Sequence, residues 1–239
     1  MNPVAQLPPR PSRRDILNDD ASLESVSRPI HLLRIDASPR ASKSNSIALT
    51  DAFVTAYTDA LPAITVDVMN VWDEKLPEFD NAAIDAKYKG VAGSAMNEAE
   101  TVVWNRIQAL VARFKRADRI VLGVPMWNFA YPYKLKQLID LVSQRNMLFT
   151  FDGERFGPLL QTPRAMVIYT RGQEYREDLP TPPSRFNHQS SYVEFWLRFI
   201  GVQDVRALAV ENTWGDKAEA SMQAARVKVA ALAQDFWDL

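Results

Sequence analysis

From residue 30 onward, short apolar runs alternate with stretches whose apolar residues recur every three or four positions. Ile30 to Ala37, Ile64 to Val71, Arg119 to Val124 (stopped by Pro125), Ala165 to Thr170 and Val205 to Val210 read as five strands. The third and fourth, Ile120 to Val124 and Ala165 to Tyr169, are continuous apolar runs, the signature of strands buried on both faces. Between them lie helical patterns. Ser46 to Ala60 forms one. Asn97-Glu98-Ala99-Glu100 has capping-box spacing and opens another, running to Arg116, with Val103, Ile107, Leu110, Val111 and Phe114 on one face. Leu135, Leu138, Ile139 and Val142 repeat at helical spacing, Tyr192 to Ile200 follows, and Asp216 and Glu219 are expected to cap a final helix reaching Trp237. Strand–helix alternation of this kind predicts an α/β domain, a doubly wound five-stranded parallel sheet with helices on both faces. Ligands of such sheets bind beyond the carboxyl ends of the strands. The segments to inspect are therefore 38–46, 71–95, 125–131 and 171–185.

Composition narrows the chemistry. The chain has 239 residues and a net charge of −1, so no broad basic field exists to hold nucleic acid or anionic lipid. It has no cysteine, which removes disulfides, thiolate metal sites and a catalytic thiol, and any redox chemistry must come from a bound cofactor. His31 and His188 are too few for a histidine metal cage, so no metal is expected. The longest apolar run, Ile120 to Tyr131, contains Pro125 and Asn128 and falls short of the ~20 residues of a membrane span. A cytoplasmic protein is expected. Residues 1–29 differ from the rest, with prolines at 3, 8, 9, 11 and 29, arginines at 10, 13, 14 and 28 and no aromatic residue. No apolar stretch follows the arginines, so a secretory signal is not read here, and Asp15, Asp19, Asp20 and Glu24 speak against a transit peptide. The segment reads as a flexible extension or a subunit-packing arm, with the domain proper at 30–239.

Three loops carry candidate chemistry. Ser38-Pro39-Arg40-Ala41-Ser42-Lys43-Ser44-Asn45-Ser46 joins the first strand to its helix. A helix N-terminus offers unpaired N–H groups and partial positive charge, and the hydroxyls add short hydrogen bonds, a combination suited to phosphate. Neither a G-x-G-x-x-G nor a G-x-x-x-x-G-K-[ST] fingerprint is present. A mononucleotide phosphate site fits, although the same serines would serve equally as plain helix caps. The third strand ends in Pro125-Met126-Trp127-Asn128-Phe129, apolar faces with one amide, as a flat heteroaromatic ring requires; an ordinary apolar turn is the competing reading. The fourth strand ends in Thr170-Arg171-Gly172-Gln173, where Gly172 permits close backbone approach or simply a turn.

Taken together and in this order, the three loops resemble those of the FMN-dependent NADH:quinone oxidoreductases and azoreductases of the flavodoxin-like superfamily, over essentially all of 30–239. Leu135-Lys136, Asp140-Leu141-Val142 and Phe199-Ile200-Gly201 add to the likeness. The resemblance implies a flavodoxin-like fold and bound FMN. Ser38, Ser44, Asn45 and Ser46 would hold its phosphate. Pro125, Met126, Trp127, Asn128 and Phe129 would line the ring and ribityl, and Thr170, Arg171, Gly172 and Gln173 the pyrimidine edge. It also implies a homodimer with sites at the subunit interface, where Phe149, Phe151 and Trp196 would surround the substrate. NADH or NADPH would donate hydride to the flavin and leave, and a quinone, azo or nitro aromatic would then accept electrons in the same pocket. No protein acid–base pair is evident. Backbone N–H groups at Gly172 and Gln173, with Arg171 adding charge, would support the reduced flavin. His188 reads as incidental.

The chain departs from the family pattern in three places. Trp127 stands where tyrosine is usual, Gln173 where a second glycine is usual, and Gln144 where an arginine is usual. The segment 173–189 is rich in proline and charge, so substrate range is in question. A specialised biosynthetic flavoenzyme, a flavin-binding scaffold without turnover and a flavodoxin-type electron carrier are the other readings. The near-neutral charge argues against the carrier.

Overall fold

The computed structural model describes residues 29–61, 63–162 and 164–236. All of the N-terminal extension but Pro29, and the expected end of the last helix at Trp237, lie outside the described residues.

All five expected strands form: β1 (Ile30–Asp36), β2 (Ile64–Asn70), β3 (Arg119–Pro125), β6 (Arg164–Thr170) and β7 (Asp204–Val210). They pair in parallel in the order β2-β1-β3-β6-β7. Each crossover is helical: α1 (Asn45–Ala60), α2 (Asn81–Ala92) with α3 (Glu98–Arg116), α4 (Tyr133–Val142), and α5 (Pro183–Phe186) with α6 (Ser190–Ile200), while α7 (Ala218–Gln234) follows the last strand. The two-residue period of a strand sends successive side chains to opposite faces. Thus Leu33, Ile35, Ile120, Leu122, Val167 and Tyr169 join one core beneath α3, α4 and α6. Leu32, Val121, Met166 and Ile168 join another beneath α1 and α7. Both faces are covered over the central strands, which explains why β3 and β6 carry so few polar residues.

The capping box forms as the spacing predicts: Asn97 Oδ1 accepts from Glu100 N, and Asn97 N donates to the Glu100 carboxylate, both at 2.9 Å. The last helix begins differently from expectation. Its N-cap is Lys217, with no side-chain cap, because the turn at Gly215 (φ +77°) feeds the chain straight into the helix; Asp216 caps nothing. Helix α2 and a hairpin after α4 are among the elements that had no sequence signal. Helix α2 is alanine-rich with a weak apolar stripe, and its ends are set by the Asp80 N-cap and the left-handed Gly93. The antiparallel hairpin β4 (Phe149–Phe151) and β5 (Phe156–Pro158) is too short for a period to show.

The strand order reverses between β1 and β3, which makes their carboxyl ends the crevice of the sheet. Pro125, Thr170 and Val210 are abreast in register, so the loops after β3, β6 and β7 leave the sheet at one level. Gly123 sets how closely α1 approaches. A Cβ there would lie 2.5 Å from Thr50 Oγ1 and 3.2 Å from the Ser46 carbonyl oxygen. Gly123→Ala is therefore expected to push out the first turn of α1 and to destabilise the fold by about 1–3 kcal/mol. A lower denaturant midpoint at unchanged slope is the result that checks it.

Candidate active site

At the crevice, the loop after β1 turns into α1 with its hydroxyls inward. Ser44 is the N-cap, its Oγ accepting from Ile47 N at 3.3 Å. Ser46 Oγ lies 3.1 Å from Ser44 Oγ, and both residues are buried. Ser38 is buried as well, and its Oγ accepts from Arg40 N. The first amides of α1 have no preceding helical carbonyl and face outward as donors. The Asn45 side chain donates to the Thr213 carbonyl at 3.0 Å, tying this loop to the one after β7.

The loop after β3 is a two-residue turn. Trp127 and Ala130 exchange backbone hydrogen bonds of 2.8 and 3.0 Å around Asn128 and Phe129, whose φ angles are +49° and +70°. This is the primed geometry that matches strand twist. Asparagine tolerates it; phenylalanine rarely does, at a strain of order 1–3 kcal/mol. The strain is held by His188 N, which donates to the Phe129 carbonyl at 3.0 Å, and by the Phe186 ring, 5.2 Å from that of Phe129. Both Trp127 and Phe129 are left nearly half exposed at the rim. Behind them, Tyr131 stacks on Tyr192 at 5.4 Å, and burial pushes its phenol up to about 12, so it stays protonated at neutral pH.

One cleft is lined by Ser38, Arg40, Ser44, Asn45, Pro125, Met126, Trp127, Thr170, Gly172, Thr213 and Trp214. Eight of these were expected from the sequence; Arg40, Thr213 and Trp214 were not. Ser46 stands directly behind Ser44, Asn128 and Phe129 form the turn at the rim, and Gln173 is exposed outside the wall. No carboxylate lines the cleft, and Arg40 is its one charged side chain.

Two expectations need correction. Arg171 does not point its charge at the cleft. Its guanidinium turns inward and is buried, with Nε donating to Gln189 Oε1 at 3.0 Å and Nη1 to Glu211 at 3.1 Å. Gln189 in turn donates to the Val124 carbonyl at 2.9 Å. Arg171 thus ties together the ends of β3, β6 and β7. Trp196 is no pocket residue: it is 2% exposed, packs edge-on against Phe114, and donates from Nε1 to Ser143 Oγ at 3.0 Å. Phe149 and Phe151 lie on the hairpin against Phe156 and do not line the cleft of their own chain. Among the described residues, no group of three or more histidine or acidic side chains is placed to hold a metal.

Residues 31–233 match the flavodoxin-like fold family. A curated protein of Burkholderia lata, FMN-dependent NADH:quinone oxidoreductase 2, is 58% identical over 207 residues, covering 87% of this chain and all of that protein. The chain belongs to the FMN-dependent NADH:quinone oxidoreductase family. FMN-dependent NADH:quinone oxidoreductase 3 of Pseudomonas fluorescens is 41% identical over 86% of this chain and 96% of its own length. Among solved structures, an azoreductase of Bacillus anthracis superposes with a TM-score of 0.79 at 26% identity, covering 87% of this chain and all of that one. The cleft of this family member therefore lies on a scaffold shared with a solved azoreductase.

The donor set fits FMN. Buried hydroxyls and a helix N-terminus converge at one end with no competing negative charge. At the other end, Pro125, Met126 and Trp127 offer apolar faces, and Gly172 leaves the backbone open to a ring edge.

Proposed function

We propose that the protein is an FMN-dependent oxidoreductase that takes hydride from NADH or NADPH and reduces quinones and azo or nitro aromatics. One observation carries this reading: in a member of this family, a hydroxyl-lined helix N-terminus and an aromatic turn meet in one carboxylate-free cleft. When bound, FMN would supply the redox chemistry, as hydride acceptor for the donor and electron source for the acceptor. The chain's own residues bind and orient. Ser38, Ser44, Asn45 and Ser46 would hold the phosphate; Met126, Trp127 and Asn128 would line the ring; Thr170 and the Gly172 backbone would meet its polar edge. Trp127 and Phe129, at the rim, offer stacking faces to flat substrates. No side chain in the cleft is positioned as a general acid.

An absorbance spectrum of the purified protein tests the reading. A flavin band released as FMN on denaturation and bleached by NADH or NADPH supports it; a colourless protein that refuses FMN overturns it. With one aromatic surface over one ring, donor and acceptor must alternate, so initial rates are expected to give parallel double-reciprocal lines. Intersecting lines would mean that both bind together.

The second reading concerns assembly. Phe156, Phe195 and Tyr133 are each about 60% exposed or more, and Phe195 and Phe156 lie in a chain of ring contacts that includes Phe199, Phe149 and Phe151. An exposed apolar surface of this kind marks an interface. We infer that two copies pair through it, bringing the Phe149 and Phe151 hairpin to the partner's cleft. Sedimentation at micromolar concentration is expected to give a dimer, and Phe195→Glu to shift it to monomer; a monomeric wild type that still reduces quinone would refute this.

A further inference from the structure

Trp214 is the most exposed large apolar side chain among the described residues, at 79%, yet it stands in the wall of the cleft. Its backbone is firmly held. Thr213 donates from N and from Oγ1 to the Arg171 carbonyl at 3.0 and 2.8 Å, and the Thr213 carbonyl accepts from Asn45. Left-handed Asn212 and Gly215 bracket the turn. Beside it, Gly172 carries no side chain; a Cβ there would come no closer than 3.9 Å to the Trp214 Cβ, so the ring has room. A rigid loop therefore presents an indole at the mouth of the cleft, tied through Thr213 to Asn45 of the serine loop on one side and beside Gly172 on the other. Arg40 lines the same mouth, is exposed, and has no side-chain partner among the described residues.

We propose that Trp214 and Arg40 form the subsite for the adenosine diphosphate half of the nicotinamide donor, with adenine stacked on the indole and the diphosphate met by the guanidinium. The proposal rests on the donor reading above. It follows from the chemistry of the two groups: an aromatic face suits a base, a planar guanidinium suits phosphate, and both stand outside the buried serines that serve the FMN phosphate. A dinucleotide can lay its nicotinamide on the ring end while its other half runs along the cleft to its mouth.

The FMN-loaded protein is titrated with ADP-ribose, and turnover is measured with NADH and with reduced nicotinamide mononucleotide, which lacks the adenosine half. Trp214→Ala is expected to weaken ADP-ribose binding and to raise the KM for NADH by roughly five- to a hundredfold. The KM for the truncated donor should move less than about twofold. Trp214→Phe, which keeps a stacking face, should recover most of the loss, and Arg40→Ala should weaken ADP-ribose by roughly tenfold or more. Equal penalties for both donors, or a loss of FMN affinity in Trp214→Ala, would overturn the proposal, since the indole would then serve the cofactor. A wild type that binds ADP-ribose but oxidises neither donor would instead sink the donor reading. Should Trp214→Ala fail to fold, Trp214→Phe and Arg40→Ala decide between these outcomes.

Discussion

Replacing Ser44 and Ser46 together with alanine is expected to weaken FMN binding by roughly two to four decades. A hydrogen bond to a charged group is worth about 1.5–3 kcal/mol, and a decade of affinity about 1.4 kcal/mol. The two hydroxyls are buried and 3.1 Å apart, so they act on one small volume at the head of α1. No cation lies among the buried serines to compensate; Arg40 stands further out, at the exposed mouth. The fold should survive. Ser44 caps α1 through Ile47 N, and losing a cap costs about 1 kcal/mol. Ser46 is first-turn and its carbonyl, not its hydroxyl, holds Thr50. FMN affinity measured by fluorescence, with a thermal melt of the apo-protein as control, decides the matter. Unchanged affinity would place the phosphate elsewhere.

The centre of the sheet was legible because β3 and β6, buried on both faces, leave little room for polar residues, and the crevice followed from strand–helix alternation alone. The place of the serine loop in the crevice was legible for the same reason, because a segment between β1 and α1 must end at a helix N-terminus. The rest depended on what local pattern does not encode. Thr213 and Trp214 look like an ordinary polar turn until the strand order puts β7 beside β6 and their loops abreast. The hairpin β4–β5 offers three residues per strand, fewer than two periods. Trp196 is different, because its signal was present. Val193, Trp196, Leu197 and Ile200 recur at helical spacing and all are buried; the core stripe of α6 outranks the likeness that sent Trp196 to the substrate pocket.

Replacing Arg171 with leucine is expected to destabilise the protein by roughly 3 kcal/mol, rather than to alter the chemistry in the cleft directly. Truncating one partner of a buried ion pair costs about 3–5 kcal/mol, because the other charge is left without compensation. The low end applies here, since the Glu211 side chain keeps 23% of its exposure and can recruit water. Gln189 cannot: it is fully buried, and without the guanidinium its Oε1 loses its donor. Its Nε2 still reaches the Val124 carbonyl, so β3 keeps its anchor, while the ends of β6 and β7 lose the side-chain link to it and keep only their backbone pairing. For a chain of this size each kcal/mol is worth about 2–4 °C of melting temperature, which gives a fall of roughly 6–12 °C. Arg171→Lys should recover little, because one ammonium cannot span Gln189 and Glu211 as the guanidinium fork does. If Arg171 acted on the bound ring instead, as its place beside Gly172 first suggests, the leucine variant would melt nearly as the wild type does and lose turnover at saturating FMN. Melting temperature and kcat at saturation, measured on the same preparation, separate the two roles.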